Sequence, residues 1–350
     1  MVRVTVAGTG TVGRDFTRLC AATPDIEIVA ACSRNPAHAG EPLAELAGVT
    51  AELPLVSARL EDVLATPSDV LVVATASHLG DVREEIRAGI AAGRNVLTSS
   101  EEAAFPWAFD ADVAEELDAL SREAGVTVLG TGVNPGLTYD ALVLTVAGAC
   151  WDVQELTVER VVDISGYSEA ILRRSGVGVT PDVFTRRCET GDITGHIGFP
   201  QSMNIVADAM GQTIERIDRQ IEPLLAGERL EASGMVVEPD ETAGFVQHYV
   251  AVANGEPWFT AHLVAHVDME HAELSTRDVI AISGSVSVRM VVEPSFNSQT
   301  TVAAMLANSL DRVVAAPPGW LTVAGLPPAR PTAARRQQSD LRTTPEGVDA

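Results

Sequence analysis

The chain opens Val2-Arg3-Val4-Thr5-Val6-Ala7 and runs at once into Gly8-Thr9-Gly10-Thr11-Val12-Gly13-Arg14. A β-branched run leading into G-x-G-x-x-G is the fingerprint of a dinucleotide-binding βαβ unit. Gly8 permits the tight turn, Gly10 lets backbone approach a pyrophosphate, and Gly13 lets helix pack on strand. The new helix then aims unpaired N–H groups and its positive dipole end at the phosphates, with Thr9, Thr11 and Val12 lining the turn. Context supports the reading. Phe16, Leu19 and Cys20 give the helix an apolar side, and residues 26–31 supply the second strand.

The end of that second strand selects the cofactor. An acid there binds the adenine ribose 2′-hydroxyl, whereas an arginine accommodates a 2′-phosphate. This chain has Cys32-Ser33-Arg34-Asn35. Ser33 can donate a hydrogen bond and Arg34 can pair with a phosphate dianion. NADP is therefore expected over NAD, with NAD possible. Thr75 and Ala76, after the fourth strand, and Asn134, after the sixth, complete the expected cofactor contacts.

Composition narrows the chemistry. The 350 residues carry a net charge of −24, and all 24 basic residues are arginine. Without lysine there is no Schiff-base lysine, no P-loop lysine and no lysine general acid. An acidic surface argues against nucleic acid and anionic membranes as partners. The four cysteines are scattered with no C-x-x-C, so reduced thiols in a cytoplasmic protein are expected. No basic segment followed by an apolar run precedes the first strand, and no apolar run approaches the ~20 residues that span a membrane.

Strand and helix patterns alternate to about residue 130. Strands are expected at 2–7, 26–31, 53–56, 70–74, 95–98 and 126–129, with helices carrying Val82, Ile86 and Ile90 or Val113, Leu117 and Leu120 inward. This is an α/β pattern, a doubly wound parallel sheet of Rossmann type. The pattern then changes. A long strand is expected at 153–164, helices at 181–189 and 199–210, and strands at 245–253 and 258–267 around the hairpin signal Asn254-Gly255. A further strand is expected at 280–292. These define a second, α+β unit on a mixed or antiparallel sheet. The expected division is 1–133 for the nucleotide-binding domain and 134–299 for the substrate and dimerisation domain. Residues 300–326 hold a helix returning to the first domain, and 327–350 form an extended or mobile tail.

Two motifs fall beyond the carboxyl ends of strands, where a doubly wound sheet binds ligands. One is Ser99-Ser100-Glu101-Glu102-Ala103-Ala104-Phe105-Pro106-Trp107. The other is Gly130-Thr131-Gly132-Val133-Asn134-Pro135-Gly136-Leu137. The acidic pair reads either as helix N-terminal acids satisfying a dipole or as catalytic groups. Reducing a ketone develops negative charge on oxygen and calls for a Lys, Tyr or His⁺ donor. Reducing an iminium needs a neighbouring anion, which can also take protons from ammonia and the carbinolamine. A carboxylate in a chain without lysine suits C=N chemistry better than C=O chemistry.

With these motifs in order, the chain resembles the dihydrodipicolinate-reductase-like oxidoreductases, most closely the 2,4-diaminopentanoate dehydrogenase and native amine dehydrogenase branch. The family pattern Glu-Glu-x-x-Tyr/Phe-Pro stands here as Glu101 to Pro106, and Gly-Thr-Gly-x-Asn-Pro-Gly as Gly130 to Gly136. Gly195-His196-Ile197-Gly198-Phe199 followed by Ser202, Ile282-Ser283-Gly284 and Ala316-Pro317-Pro318-Gly319-Trp320-Leu321-Thr322 also match. The resemblance implies NAD(P)-dependent oxidative deamination of a primary amine and, in reverse, reductive amination of a ketone or aldehyde with ammonia. It places the catalytic glutamate in the acidic pair, with Glu102 favoured and Glu101 open. Phe105, Asn134, Pro135, Leu137, Tyr139, Tyr167 and Phe199 are the substrate-wall candidates, and a homodimer is implied. The His-His and Lys motif of true dihydrodipicolinate reductases is absent. Arg173-Arg174 stands where relatives carry lysine.

An imine reductase or diamine-specific dehydrogenase would present the same motifs. A catalytically silent NADP-binding regulator would keep Gly8, Gly10 and Gly13 but need no acid at the cleft. His248, His262, His266 and His271 lack a carboxylate or cysteine at ligand spacing, so no metal is expected.

Overall fold

The short apolar runs of the first half become parallel strands separated by amphipathic helices. The chain is described as a computed structural model over residues 1–332. In order come β1 (Val2–Ala7), α1 (Thr11–Ala21), β2 (Ile26–Cys32), α2 (Leu43–Ala47), β3 (Val56–Ser57) and α3 (Leu60–Leu64). β4 (Val70–Val73), α4 (Leu79–Ala91), β5 (Asn95–Thr98), α5 (Ala111–Ala124) and β6 (Thr127–Gly130) follow. The second half begins with α6 (Ala141–Ala147), β7 (Val153–Asp163), α7 (Glu169–Arg174), α8 (Pro181–Glu189) and α9 (Phe199–Met210). Then come β8 (Arg216–Leu225), β9 (Leu230–Ala232), β10 (Met235–Val237), β11 (Thr242–Ala253), β12 (Glu256–His266), β13 (Arg277–Gly284), β14 (Val288–Val292), α10 (Ser298–Ala315) and β15 (Gly319–Leu321).

The first sheet has the order β15-β6-β5-β4-β1-β2-β3, and its pairs are all parallel. Its switch point lies between β1 and β4, where a doubly wound sheet opens its ligand crevice. Helices on both faces bury β4 completely, which is why Val70, Leu71, Val72 and Val73 are all 0% exposed and the run carries no polar alternation. Val82, Ile86 and Ile90 seal one face from α4. On the other face α10 packs against α1, placing Leu306, Leu310 and Val313 with Phe16 in one cluster.

The second sheet has the order β14-β13-β7-β12-β11-β8 and is mixed, because β12 runs parallel to β7 while its other pairs are antiparallel. Asn254 (φ 54°) and Gly255 (φ 79°) both take left-handed backbone, as a two-residue hairpin turn requires. One face is packed under α6, α8 and α9 by Tyr139, Phe184, Phe199 and Phe259.

Two expected strands shift. The strand at 53–56 moves to Val56–Ser57, since Pro54 removes a ladder donor. The single strand at 280–292 is two, β13 and β14, broken by a turn at 285–287. β8, on an edge, sets Ile217 and Ile221 four apart among Arg216, Asp218, Arg219, Gln220 and Glu222 before Leu224 and Leu225, so it lacks the alternation that marks a strand. The tail expected from residue 327 lies, beyond residue 332, outside the described residues. Among the described residues no helix is long and apolar enough to cross a membrane.

Candidate active site

The glycine loop shows where its room is needed. Gly8 (φ 116°) could not carry a Cβ, which would sit 2.4 Å from the Ala74 carbonyl oxygen, and a Cβ on Gly13 would sit 2.0 Å from that of Gly8. Protein packing thus accounts for both. Gly10 is different. Its φ is an ordinary −72° and a Cβ would meet nothing within 4 Å. The space it keeps open fronts the first turn of α1, which has no side-chain cap and no acid to satisfy its free N–H groups. An anionic pyrophosphate fits that cradle.

At the end of β2, Thr9 Oγ1 donates to Ser33 Oγ at 2.7 Å and lies 2.6 Å from His38 Nδ1. Ser33 Oγ also accepts from Asn35 N at 3.1 Å, which leaves the Ser33 O–H proton free to donate outward. Asn35 caps the short turn Pro36–His38 through Ala37 N. From the loop between β4 and α4, Thr75 Oγ1 donates to Glu85 at 2.8 Å.

A cleft of about 390 Å³ lies between the two sheets. Thr11 and Val12 of α1, Ser77, Glu101, Val133 and Asn134 form one wall, and Ser298, Gln299 and Val302 of α10 lie beside them. The opposing wall includes Arg160, Val162, Tyr167, Arg174, His196 and Leu263. The start of α1 and a carboxylate therefore share one cavity.

The acidic pair divides its work. Glu102 is turned away: its Oε2 accepts from Leu79 N at 2.7 Å and its Oε1 lies 3.0 Å from His78 Nδ1, so both oxygens are occupied at the start of α4. The helix-cap reading applies to Glu102. Glu101 lines the cleft, whereas Glu102, the member favoured from the sequence, does not. Burial pushes the Glu101 carboxyl above the usual carboxylate range, opposed by a Ser77 hydrogen bond and by nearby His78. The turn is fixed from beneath by Trp320 Nε1, which donates to Ala103 O at 3.0 Å. Gly130 allows this approach, since a Cβ there would sit 2.4 Å from the Ala103 carbonyl carbon.

The Asn134-to-Gly136 loop, with its cis Asn134–Pro135 bond, is held by buried Asp140. The Asp140 carboxylate accepts from Gly136 N (2.8 Å), Ala141 N (2.6 Å) and Ser202 Oγ (2.8 Å). Gln247, also buried, clamps the facing loop: Oε1 accepts from His196 N at 2.9 Å and Nε2 donates to the Thr194 and His196 carbonyls at 3.1 Å. Burial, then Arg160, pushes His196 down to about 4, so its ring is neutral near pH 7, with a buried Nε2 that has no protein partner.

Of the substrate-wall candidates, Asn134 and Tyr167 line the cleft; Phe105, Pro135, Leu137, Tyr139 and Phe199 do not. Tyr139 is fully buried and its hydroxyl donates to the His262 carbonyl at 2.5 Å. Phe199 stacks edge-on beneath Tyr139 (5.0 Å) and His196 (4.9 Å). Both are core beneath the site. Phe105 packs edge-on with Trp107 at 5.4 Å. The sequence did not single out Ser77, Asp140, Arg160 or Gln247. The signal for Gln247 was an amide at an inward position of an otherwise apolar strand face.

Residues 137–342 match the model of the 2,4-diaminopentanoate dehydrogenase C-terminal domain, and residues 2–89 match that of the dihydrodipicolinate reductase N-terminus. The 2,4-diaminopentanoate dehydrogenase of Acetoanaerobium sticklandii is 28% identical over 338 residues, 94% of each chain. Among solved structures, an amine dehydrogenase from Mycobacterium smegmatis aligns with TM-score 0.83 at 24% identity, covering 94% of this chain and 97% of that one. A biliverdin reductase from Synechocystis, solved with biliverdin and NADP⁺, aligns at TM-score 0.53 and 13% identity over 89% and 90% of the two chains.

Proposed function

The chain belongs to the family defined by the 2,4-diaminopentanoate dehydrogenase C-terminal domain and is an NAD(P)-dependent oxidoreductase; on that premise we propose an amine dehydrogenase that aminates a carbonyl with ammonia and deaminates the amine in reverse, with Glu101 as its acid–base group. The observation that carries this reading is the shared cleft of the α1 start and Glu101. When bound, a reduced nicotinamide supplies the hydride that a C=N carbon accepts.

The chain's own groups do the rest. Glu101 takes a proton from ammonium, the ammonia so released adds to the carbonyl to give a carbinolamine, and the Glu101 carboxyl gives that proton to the hydroxyl, which leaves as water and an iminium cation remains. The Glu101 carboxylate, half-buried in the cleft wall, stabilises that cation by its charge. Ser77 lines the cleft beside Glu101 and favours its ionised form. Neutral His196 can accept or donate a hydrogen bond without adding charge beside the iminium. Arg174, on the outer wall, has no ion-pair partner among the described residues, and suits a substrate bearing an anionic group away from the amine. The compound in the relative's name, 2,4-diaminopentanoate, carries such a carboxylate.

The test is oxidation of NADPH or NADH by the purified chain with ammonium and a carbonyl panel that includes keto acids and their neutral counterparts. Oxidation that requires both carbonyl and ammonium supports the reading. Oxidation without ammonium would make the chain a carbonyl reductase, and binding without turnover a regulator.

Cofactor choice is proposed as NADP over NAD, because Ser33 and Arg34 stand where an acid would select NAD. Arg34→Asp should raise the NADPH KM about tenfold or more, and far more than the NADH KM, through loss of a charge-assisted contact. Equal effects on the two would remove Arg34 from the 2′-phosphate.

A further inference from the structure

Arg34 does not stand free. Its Nε donates to Glu85 Oε1 at 3.0 Å, its Nη2 lies 2.7 Å from Glu85 Oε2, and it also donates to the Asp81 carbonyl. Glu85 comes from α4, across the switch point from β2. Thr75 Oγ1 donates to the same Oε2 at 2.8 Å, so the carboxylate is held from both sides. The Glu85 side chain is 14% exposed, against 50% for Arg34. An acid is thus present at the adenosine end of the crevice, though it does not come from the end of β2.

We propose that Glu85 is a cofactor-selectivity residue: it competes with an adenosine 2′-phosphate for Arg34, and so moderates NADP preference and keeps NAD usable. The inference rests on the reading of the chain as NAD(P)-dependent. A phosphate dianion can take the Arg34 guanidinium only by sharing it with Glu85 or displacing it. In either case a carboxylate is left close to the phosphate, and like charges at that range repel. The neutral 2′-hydroxyl of NAD meets no such repulsion, and a carboxylate can accept its proton in a hydrogen bond. The free Ser33 O–H serves either cofactor.

Glu85→Gln keeps the shape of the side chain and the bond from Thr75 while removing the charge. Titration of NADPH and NADH, read by nicotinamide fluorescence, gives both Kd values without turnover. NADPH should bind about three- to tenfold more tightly to the variant, and NADH no more tightly. The NADPH gain should shrink with added salt, because half of the pair is exposed. Unchanged or weaker NADPH binding by a Glu85→Gln variant of wild-type thermal stability would overturn the proposal, for Glu85 would then be orienting Arg34. Failure of the wild-type chain to bind either dinucleotide would overturn the cofactor reading, and this proposal with it.

Discussion

Glu101→Gln is expected to lower amination turnover by about 10²–10³-fold, the usual cost of deleting one preorganised electrostatic group. Cofactor binding should change little, because the bonds at the end of β2 do not involve this residue. Stability should not fall. Burial raises the folded-state pKa of Glu101 above its unfolded value, so its favourable contribution is present at low pH and is lost as pH rises through the folded pKa. At neutral pH the ionised group is a cost, which glutamine removes.

Glu102→Gln should behave in the opposite way. Its carboxylate meets Leu79 N and His78, so loss of charge there costs about 1–3 kcal/mol of stability and leaves turnover within a few-fold of wild type. Urea unfolding beside steady-state kinetics separates the two variants. The pH profile adds a second check. A carboxylate that must be ionised and whose pKa is raised should place the acid limb of kcat/KM above the ordinary carboxylate range, and Glu101→Gln should abolish that limb. A turnover loss in Glu102→Gln with an active Glu101→Gln would reverse the assignment.

How much of this was legible in the sequence follows from the range of each interaction. The first sheet was readable because parallel strands buried on both faces leave unbroken apolar runs, such as Val70–Val73, with Gly13 fixed by the nearby Gly8 carbonyl. The acidic pair was readable as a pair, but which member faces the cleft was not. Adjacent residues point in different directions, and the deciding partners of Glu102 are His78 and Leu79, more than twenty positions away. The aromatic candidates misled for a related reason. Tyr139 and Phe199 stand next to site motifs, yet residue size favoured the floor beneath the loops, where both are fully buried. Glu85 escaped notice because the rule for cofactor choice looks along β2, whereas the acid arrives from α4. Arg160 escaped because an arginine in mid-strand carries no sign of its partner 118 positions on.

That partner underlies the second large effect. Asp278→Ala is expected to destabilise the chain by about 3–5 kcal/mol, because it leaves a buried guanidinium without a counter-charge. Arg160 and Asp278 face each other across the β7–β13 register, their side chains 3% and 2% exposed, with Nη1 and Oδ1 2.7 Å apart. Asp278 Oδ2 also accepts from Phe296 N at 2.9 Å, and Arg160 Nη2 donates to the Phe296 carbonyl and to Ser298 Oγ at 3.2 Å. The pair therefore ties the second sheet to the start of α10, the helix that packs on α1. Replacing both charges, as Arg160→Leu with Asp278→Leu, should recover most of the loss, since two apolar groups need no mutual compensation. Urea unfolding of the two single variants and the double variant measures the coupling. If Asp278→Ala unfolds within about 1 kcal/mol of wild type, the guanidinium has found water through the cleft. Arg160 would then present a full positive charge to whatever binds there, and neutral and anionic substrates should separate further in KM.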